Sequence, residues 1–93
     1  MRYRKKPVVI DAFHVTEFEY HTYICCGTFV NAPDWLRDTD RLRVSNGTIY
    51  VHTLEGDMKI RMCDYLVRGI DGEFYPCRED IFLRTYEVVN DGN

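Results

Sequence analysis

Arg41-Leu42-Arg43-Val44-Ser45-Asn46-Gly47-Thr48-Ile49-Tyr50-Val51-His52-Thr53-Leu54 decides the fold class. On either side of Asn46-Gly47, polar and apolar residues alternate with period two, the spacing at which one face of a strand meets a core and the other meets water. Asn46-Gly47 favours the positive backbone angles of a tight hairpin turn. The stretch therefore predicts a β-hairpin. Glu55-Gly56-Asp57 predicts the next turn, leading into the alternating strand Met58-Lys59-Ile60-Arg61-Met62. Asp64 to Ile70, a turn at Asp71-Gly72, and Glu73-Phe74-Tyr75-Pro76 extend the meander. Pro76 is expected to end the pairing, because it has no N–H to give to a ladder.

Upstream, Pro7 opens Val8-Val9-Ile10-Asp11-Ala12-Phe13-His14-Val15, a β-branched and aromatic run with apolar groups on both faces, which predicts a central or well-covered strand. Thr16 followed by Glu19 is a capping-box pattern, and it predicts a short helix ended by Gly27. Its apolar stripe is either Tyr20 with Ile24 or Phe18 with Cys25. Asn31 to Arg37 predicts a second short helix, with Pro33 near its first turn and Trp35-Leu36 facing the core. Downstream, Arg78 to Arg84 has acidic residues early and a basic one late, as a helix dipole favours. Tyr86-Glu87-Val88-Val89 is expected to close as a strand, and residues 90–93 to fray. The sum is a single α+β domain over residues 1–93, a small twisted mostly antiparallel sheet of five or six strands with two or three short helices.

At 93 residues, 45% hydrophobic and 29% charged, the chain has a globular balance and room for one small core. Self-association would supplement such a core, so a homo-oligomer is open. No apolar run approaches the about 18 residues of a membrane helix, and the run after Met1-Arg2-Tyr3-Arg4-Lys5-Lys6 is too short for a signal peptide. A cytoplasmic protein with no membrane partner is expected. The net charge of −3 disfavours a dedicated nucleic-acid binder. Arg2, Arg4, Lys5 and Lys6 nevertheless concentrate cations at one end, either as a local basic patch or as a guard against edge-to-edge strand pairing.

Tyr3-Arg4-Lys5-Lys6-Pro7-Val8-Val9-Ile10-Asp11-Ala12-Phe13 resembles the opening of a group of small phage and prophage proteins of unknown function, which often read YRKKPVVIEAF. A second part is similar to their Leu54-Glu55-Gly56-Asp57-Met58, Asp64-Tyr65 and Gly72-Glu73-Phe74-Tyr75-Pro76-Cys77-Arg78-Glu79-Asp80-Ile81-Phe82 segments. The resemblance covers roughly half the chain and implies phage origin rather than a particular chemistry. Where those proteins tend to have Gly before Asp-Tyr, this chain has Cys63. If that position needs a positive φ, Cys63 is strained or the turn differs.

Catalysis is not signalled. Cys25, Cys26, Cys63 and Cys77 lie in no local signature and show no C-x-x-C spacing, so reduced, buried thiols are expected. His14 and His52 fall in strand positions. His21 and Cys25 would share a helix face as two zinc ligands, too few without a third from Cys26, Cys63 or Cys77. No phosphate loop, zinc-protease or nucleophile-elbow motif is present, so neither a cofactor nor a resident metal is expected. Seven tyrosines and five phenylalanines beside many arginines point instead to binding, since Tyr and Arg are enriched at hot spots. Tyr65, Arg68, Tyr75 and Arg78 are the expected binding residues, with Phe74 turned into the core. The expected function is a non-enzymatic phage accessory protein that binds a host component, either a defence or regulatory protein or a small nucleotide-like ligand. The alternatives are a virion structural or assembly accessory and a small metal enzyme.

Overall fold

A computed structural model describes residues 1–3, 8–37 and 39–89. The basic cluster at Arg4, Lys5 and Lys6, the strand start at Pro7 and the tail at 90–93 lie outside the described residues. In chain order the elements are β1 (Asp11–His14), α1 (Glu17–Cys26), α2 (Asp34–Arg37), β2 (Leu42–Ser45), β3 (Thr48–Thr53), β4 (Gly56–Ile60), β5 (Tyr65–Arg68), β6 (Phe74–Cys77) and α3 (Glu79–Thr85). The class is α+β, with six antiparallel strands and three helices among the described residues. The strands do not form the single sheet expected. They divide into β1-β5-β6 and β2-β3-β4.

The hairpin at Asn46-Gly47 forms as its chemistry demands. Both residues take positive φ, 52° and 73°, and Ser45 pairs with Thr48. The next turn is displaced by one residue from the expectation. Thr53 pairs with Gly56 around Leu54-Glu55, and the Thr53 hydroxyl donates to the Gly56 carbonyl at 2.7 Å while accepting the Glu55 N–H at 3.1 Å. This local bonding shifts β4 to Gly56–Ile60. Pro76 does not end the pairing. It lies inside β6 opposite Leu66, which an edge strand tolerates because the side lacking the N–H carries no ladder.

β1 is likewise an edge of its sheet rather than a central strand, joined only to β5. Two further bonds extend this junction, from Val15 N–H to the Asp64 carbonyl (2.8 Å) and from Cys63 N–H to the Val15 carbonyl (2.7 Å). Between them Cys63 takes a φ of 72°, the left-handed conformation that glycine adopts freely and a side chain does not.

The main core joins the two sheets, with β6 lying against β3 and β4. Val15, Ile49, Val51, Ile60 and Leu66 are fully buried in it, with Phe74, Leu36, Phe29 and Tyr20 packed around them. Each such side chain contributes about 1.5–3 kcal/mol. α1 lies against β3 through Tyr20, whose hydroxyl accepts the Ile49 N–H at 3.4 Å. Of the two apolar stripes open to α1, Tyr20 with Ile24 faces the core, while Phe18 and Cys25 are exposed. Tyr86–Val89 is not a strand. It leaves α3 through an extended Tyr86 but pairs with nothing among the described residues.

Glu19 departs most from its expected role. Thr16 does cap α1, its hydroxyl accepting the Glu19 N–H at 3.2 Å, and Gly27 closes the helix with φ 75°. The Glu19 carboxylate does not reach back to Thr16. It is only 3% exposed and accepts N–H groups from Val30 (2.7 Å), the Asn31 backbone (3.0 Å) and the Asn31 side chain (3.0 Å). This clamp holds the segment after α1 so that Phe29 sits between Phe13 and Tyr23, at ring distances of 5.1 and 4.5 Å.

Two stability outcomes follow from these contacts. Glu19→Ala is expected to lower the unfolding free energy by about 2–3 kcal/mol in urea titration, because it strands several N–H donors at once. Glu19→Gln should cost less, since its amide oxygen still accepts. Cys63→Gly should raise stability by about 0.5–1 kcal/mol, because relief of the left-handed strain exceeds the added freedom of the unfolded chain. Equal stability of Cys63→Gly and Cys63→Ala would show the position unstrained.

Candidate functional site

Register across β1-β5-β6 sorts the side chains onto two faces. Ala12, His14, Tyr65, Val67, Tyr75 and Cys77 share one, whereas Asp11, Phe13, Leu66, Arg68, Phe74 and Pro76 share the other. Tyr65 and Tyr75 are therefore brought together, while Arg68 points the opposite way. Arg78 precedes α3, exposed, with its guanidinium held by Asp80 at 2.8 and 3.2 Å. The four residues do not form one cluster. Phe74 lies inside as expected, and Tyr75 is half-buried. Arg68 is engaged within the fold: it bonds Asp11, its cross-strand partner, at 2.6 Å, and lies 5.2 Å from the Trp35 ring. Its truncation therefore carries a stability cost that the sequence did not suggest.

The Tyr65 face is covered by α3 through stacked rings. Tyr65 lies between His14 (4.4 Å, 6°) and Phe82 (3.9 Å, 7°), and Phe82 continues to Tyr86 at 4.9 Å. The Tyr86 and Tyr75 hydroxyls are 3.4 Å apart, and burial together with this contact pushes the Tyr75 hydroxyl well above its usual range. His14 Nε2 lies 3.1 Å from both the Cys63 carbonyl and Glu79 Oε2. Both are acceptors, so Nε2 carries a proton in this arrangement. These contacts dock α3 although none of its residues is fully buried.

Between β1 with its preceding residues and the chain leaving α3 runs a groove of about 430 Å³. Tyr65, Phe82 and Tyr86 line it with Val9, Leu83 and Val88, and Asp11 and Glu87 also border it. Val9, Leu83, Val88 and Val89 are all more than half exposed. Among the described residues no backbone hydrogen bond joins 8–12 to 86–89. Such a groove suits the apolar side chains of a partner.

The outer face of β2-β3-β4 carries a second arrangement, absent from the sequence-based site. Arg43 pairs with Tyr50 and Tyr50 with Lys59, while His52 pairs with Asp57. The Arg43 guanidinium lies 4.7 Å over the Tyr50 ring and spans the sheet to Asp57, its Nε donating to Oδ2 at 2.9 Å. His52 Nδ1 meets the other carboxylate oxygen at 3.1 Å. The signal was present in the sequence, since a two-residue Asn-Gly turn pairs Ser45 with Thr48 and hence Arg43 with Tyr50.

The thiols are not all buried as expected. Cys25 and Cys26 are exposed at the end of α1, Cys63 occupies the strained turn, and burial, with Asp64 and Asp80 nearby, pushes the Cys77 thiol up. Cys77 is thus protonated at neutral pH and a weak nucleophile. Among the described residues no three His, Cys, Asp or Glu side chains are grouped to hold a metal ion, and no helix is long and apolar enough to cross a membrane. No protein-family model, curated protein or solved structure matches the chain.

The network on the outer face makes a pH-dependent outcome explicit. Hydrogen bonds from His52 and then Arg43 hold the Asp57 carboxyl below the usual carboxylate range. A lowered folded value means that its stabilising contribution is present above the unfolded value and is lost as pH falls through the folded one. Carboxyl NMR titration should show Asp57 titrating below the usual aspartate range, and His52→Ala should move it back up. Asp57→Asn should be less stable than the parent at neutral pH and converge with it at the acid end.

Proposed function

We propose that the chain is a non-enzymatic binding protein of phage or prophage origin that acts in the host cytoplasm by engaging a host defence or regulatory protein. The observation that carries this reading is the groove beside Tyr65, where exposed aliphatic side chains surround an aromatic floor on a small domain. Contiguous exposed apolar surface of this kind is costly in water and favours a partner that covers it. The stacked His14, Tyr65 and Phe82 rings make the floor rigid, so little ordering entropy is lost on docking. Tyr65 is thereby the central anchor among the sequence-based site residues, and Tyr75 supports it through Tyr86. The phage resemblance of the Tyr3–Phe13 and Gly72–Phe82 segments supplies the host setting.

Tagged protein incubated with host lysate should capture a partner reproducibly. Leu83→Asp and Val9→Asp, at positions 60% and 69% exposed, should each weaken capture at least tenfold with a melting temperature within about 2 °C of the parent. Undiminished capture by both variants would place the partner elsewhere, and stoichiometric presence in purified particles would favour a virion role.

A further inference from the structure

We propose that the outer face of β2-β3-β4 binds single-stranded nucleic acid, with the Arg43–Tyr50 stack as platform for a base and Lys59 as a phosphate contact. The proposal is independent of the groove. The Asp57 carboxylate takes the Arg43 Nε and is itself held by His52, so the guanidinium is fixed over the Tyr50 ring. Among the described residues no partner takes the terminal amino groups of Arg43, and the side chain remains 55% exposed. A guanidinium so oriented offers a base a flat stacking partner and a phosphate a bidentate one.

Charge complementarity chooses the occupant. Arg43 and Lys59 flank Tyr50 on the two neighbouring strands, two strand spacings or about 10 Å apart. Arg61, exposed, follows β4 at the same end of the sheet. Asp57 lies on this face with both of its oxygens already accepting, and Asp40 borders its far end beside His52. The end of the face around Tyr50, Lys59 and Arg61 is therefore locally cationic although the chain carries −3. At physiological salt, charges more than about 8 Å away are largely screened, so the local balance governs an adsorbed phosphate. The face is an open sheet surface rather than a concavity. A free mononucleotide would stay mostly solvated there, whereas a strand can lie across several rows and add contacts.

The test is fluorescence anisotropy with a labelled ten-nucleotide oligothymidylate, at salt concentrations from 20 to 200 mM, alongside amide-shift mapping by NMR. Binding should weaken with salt with a logarithmic slope of about −1.4, two cations at about 0.7 each. Tyr50→Ala and Arg43→Ala should each weaken binding at least tenfold. Tyr50→Phe should retain it, separating loss of stacking from loss of fold, and Lys59→Ala should reduce the slope by about 0.7. Shifts should centre on Tyr50 and His52 and their partners in β2 and β4. The proposal is overturned by absence of binding at 20 mM salt, by shifts centred on another face, by thymidine monophosphate binding as tightly as the oligomer, or by equal competition from a polyglutamate peptide.

Discussion

Pairing between β1 and β5 brings together Asp11 and Arg68, 57 positions apart, and the remaining architecture depends on that closure. Bringing distant segments together costs chain entropy before any contact is gained. The junction offsets that cost on both faces of the sheet. On one, Asp11 bonds Arg68 and Arg68 lies over Trp35; on the other, the His14 ring stacks on Tyr65. It also makes β5 a central strand with a burial duty on each side. Leu66 belongs to the main core, while Val67, fully buried, faces the opposite way with Tyr65.

Two polar devices adapt the chain to this arrangement. The Glu19 carboxylate supplies acceptors to a segment that has no ladder of its own, and so carries Phe29 into the core. A buried carboxylate is tolerated only because its oxygens are hydrogen-bonded. At the other device, Asp64 accepts the Arg61 N–H at 2.9 Å and holds the turn that drives Cys63 into its left-handed conformation. Burial pushes the Asp64 carboxyl above the usual carboxylate range despite that bond. The turn is thus kept by the β1 junction around it as well as by its own Arg61–Asp64 bonds.

The two candidate surfaces differ in chemistry because they sit on sheets with different cover. The outer face of β1-β5-β6 is roofed by α3, whose stacked rings leave an apolar groove at the border with β1. On the outer face of β2-β3-β4 Arg43 and His52 are exposed, so its side chains must be compatible with water. There the sequence places Arg, Lys, His and Asp around a tyrosine, and cross-strand pairing organises them. Neither surface includes both Arg68 and Tyr65, which lie on opposite sides of one strand.

Local chemistry in the sequence determined the α+β class, the Asn46-Gly47 hairpin, the Thr16 cap and Gly27 stop of α1, and the inward Phe74. Each of these rests on a residue's own backbone preference or on alternation within a few positions. Strain at Cys63 was one of two outcomes raised by the resemblance, which places Gly there, and its φ of 72° came from the structure. Tertiary structure alone decided the division into two sheets, the edge position of β1, the route of Glu19 and the missing final strand. Tyr86–Val89 has the composition of a strand, but a strand exists only where another edge is within hydrogen-bonding reach, and α3 leads this segment past β1 without pairing. The expected site split for a related reason. Proximity in sequence across Asp71-Gly72 says that β5 and β6 are neighbours, whereas register and the covering helix determine which side chains meet.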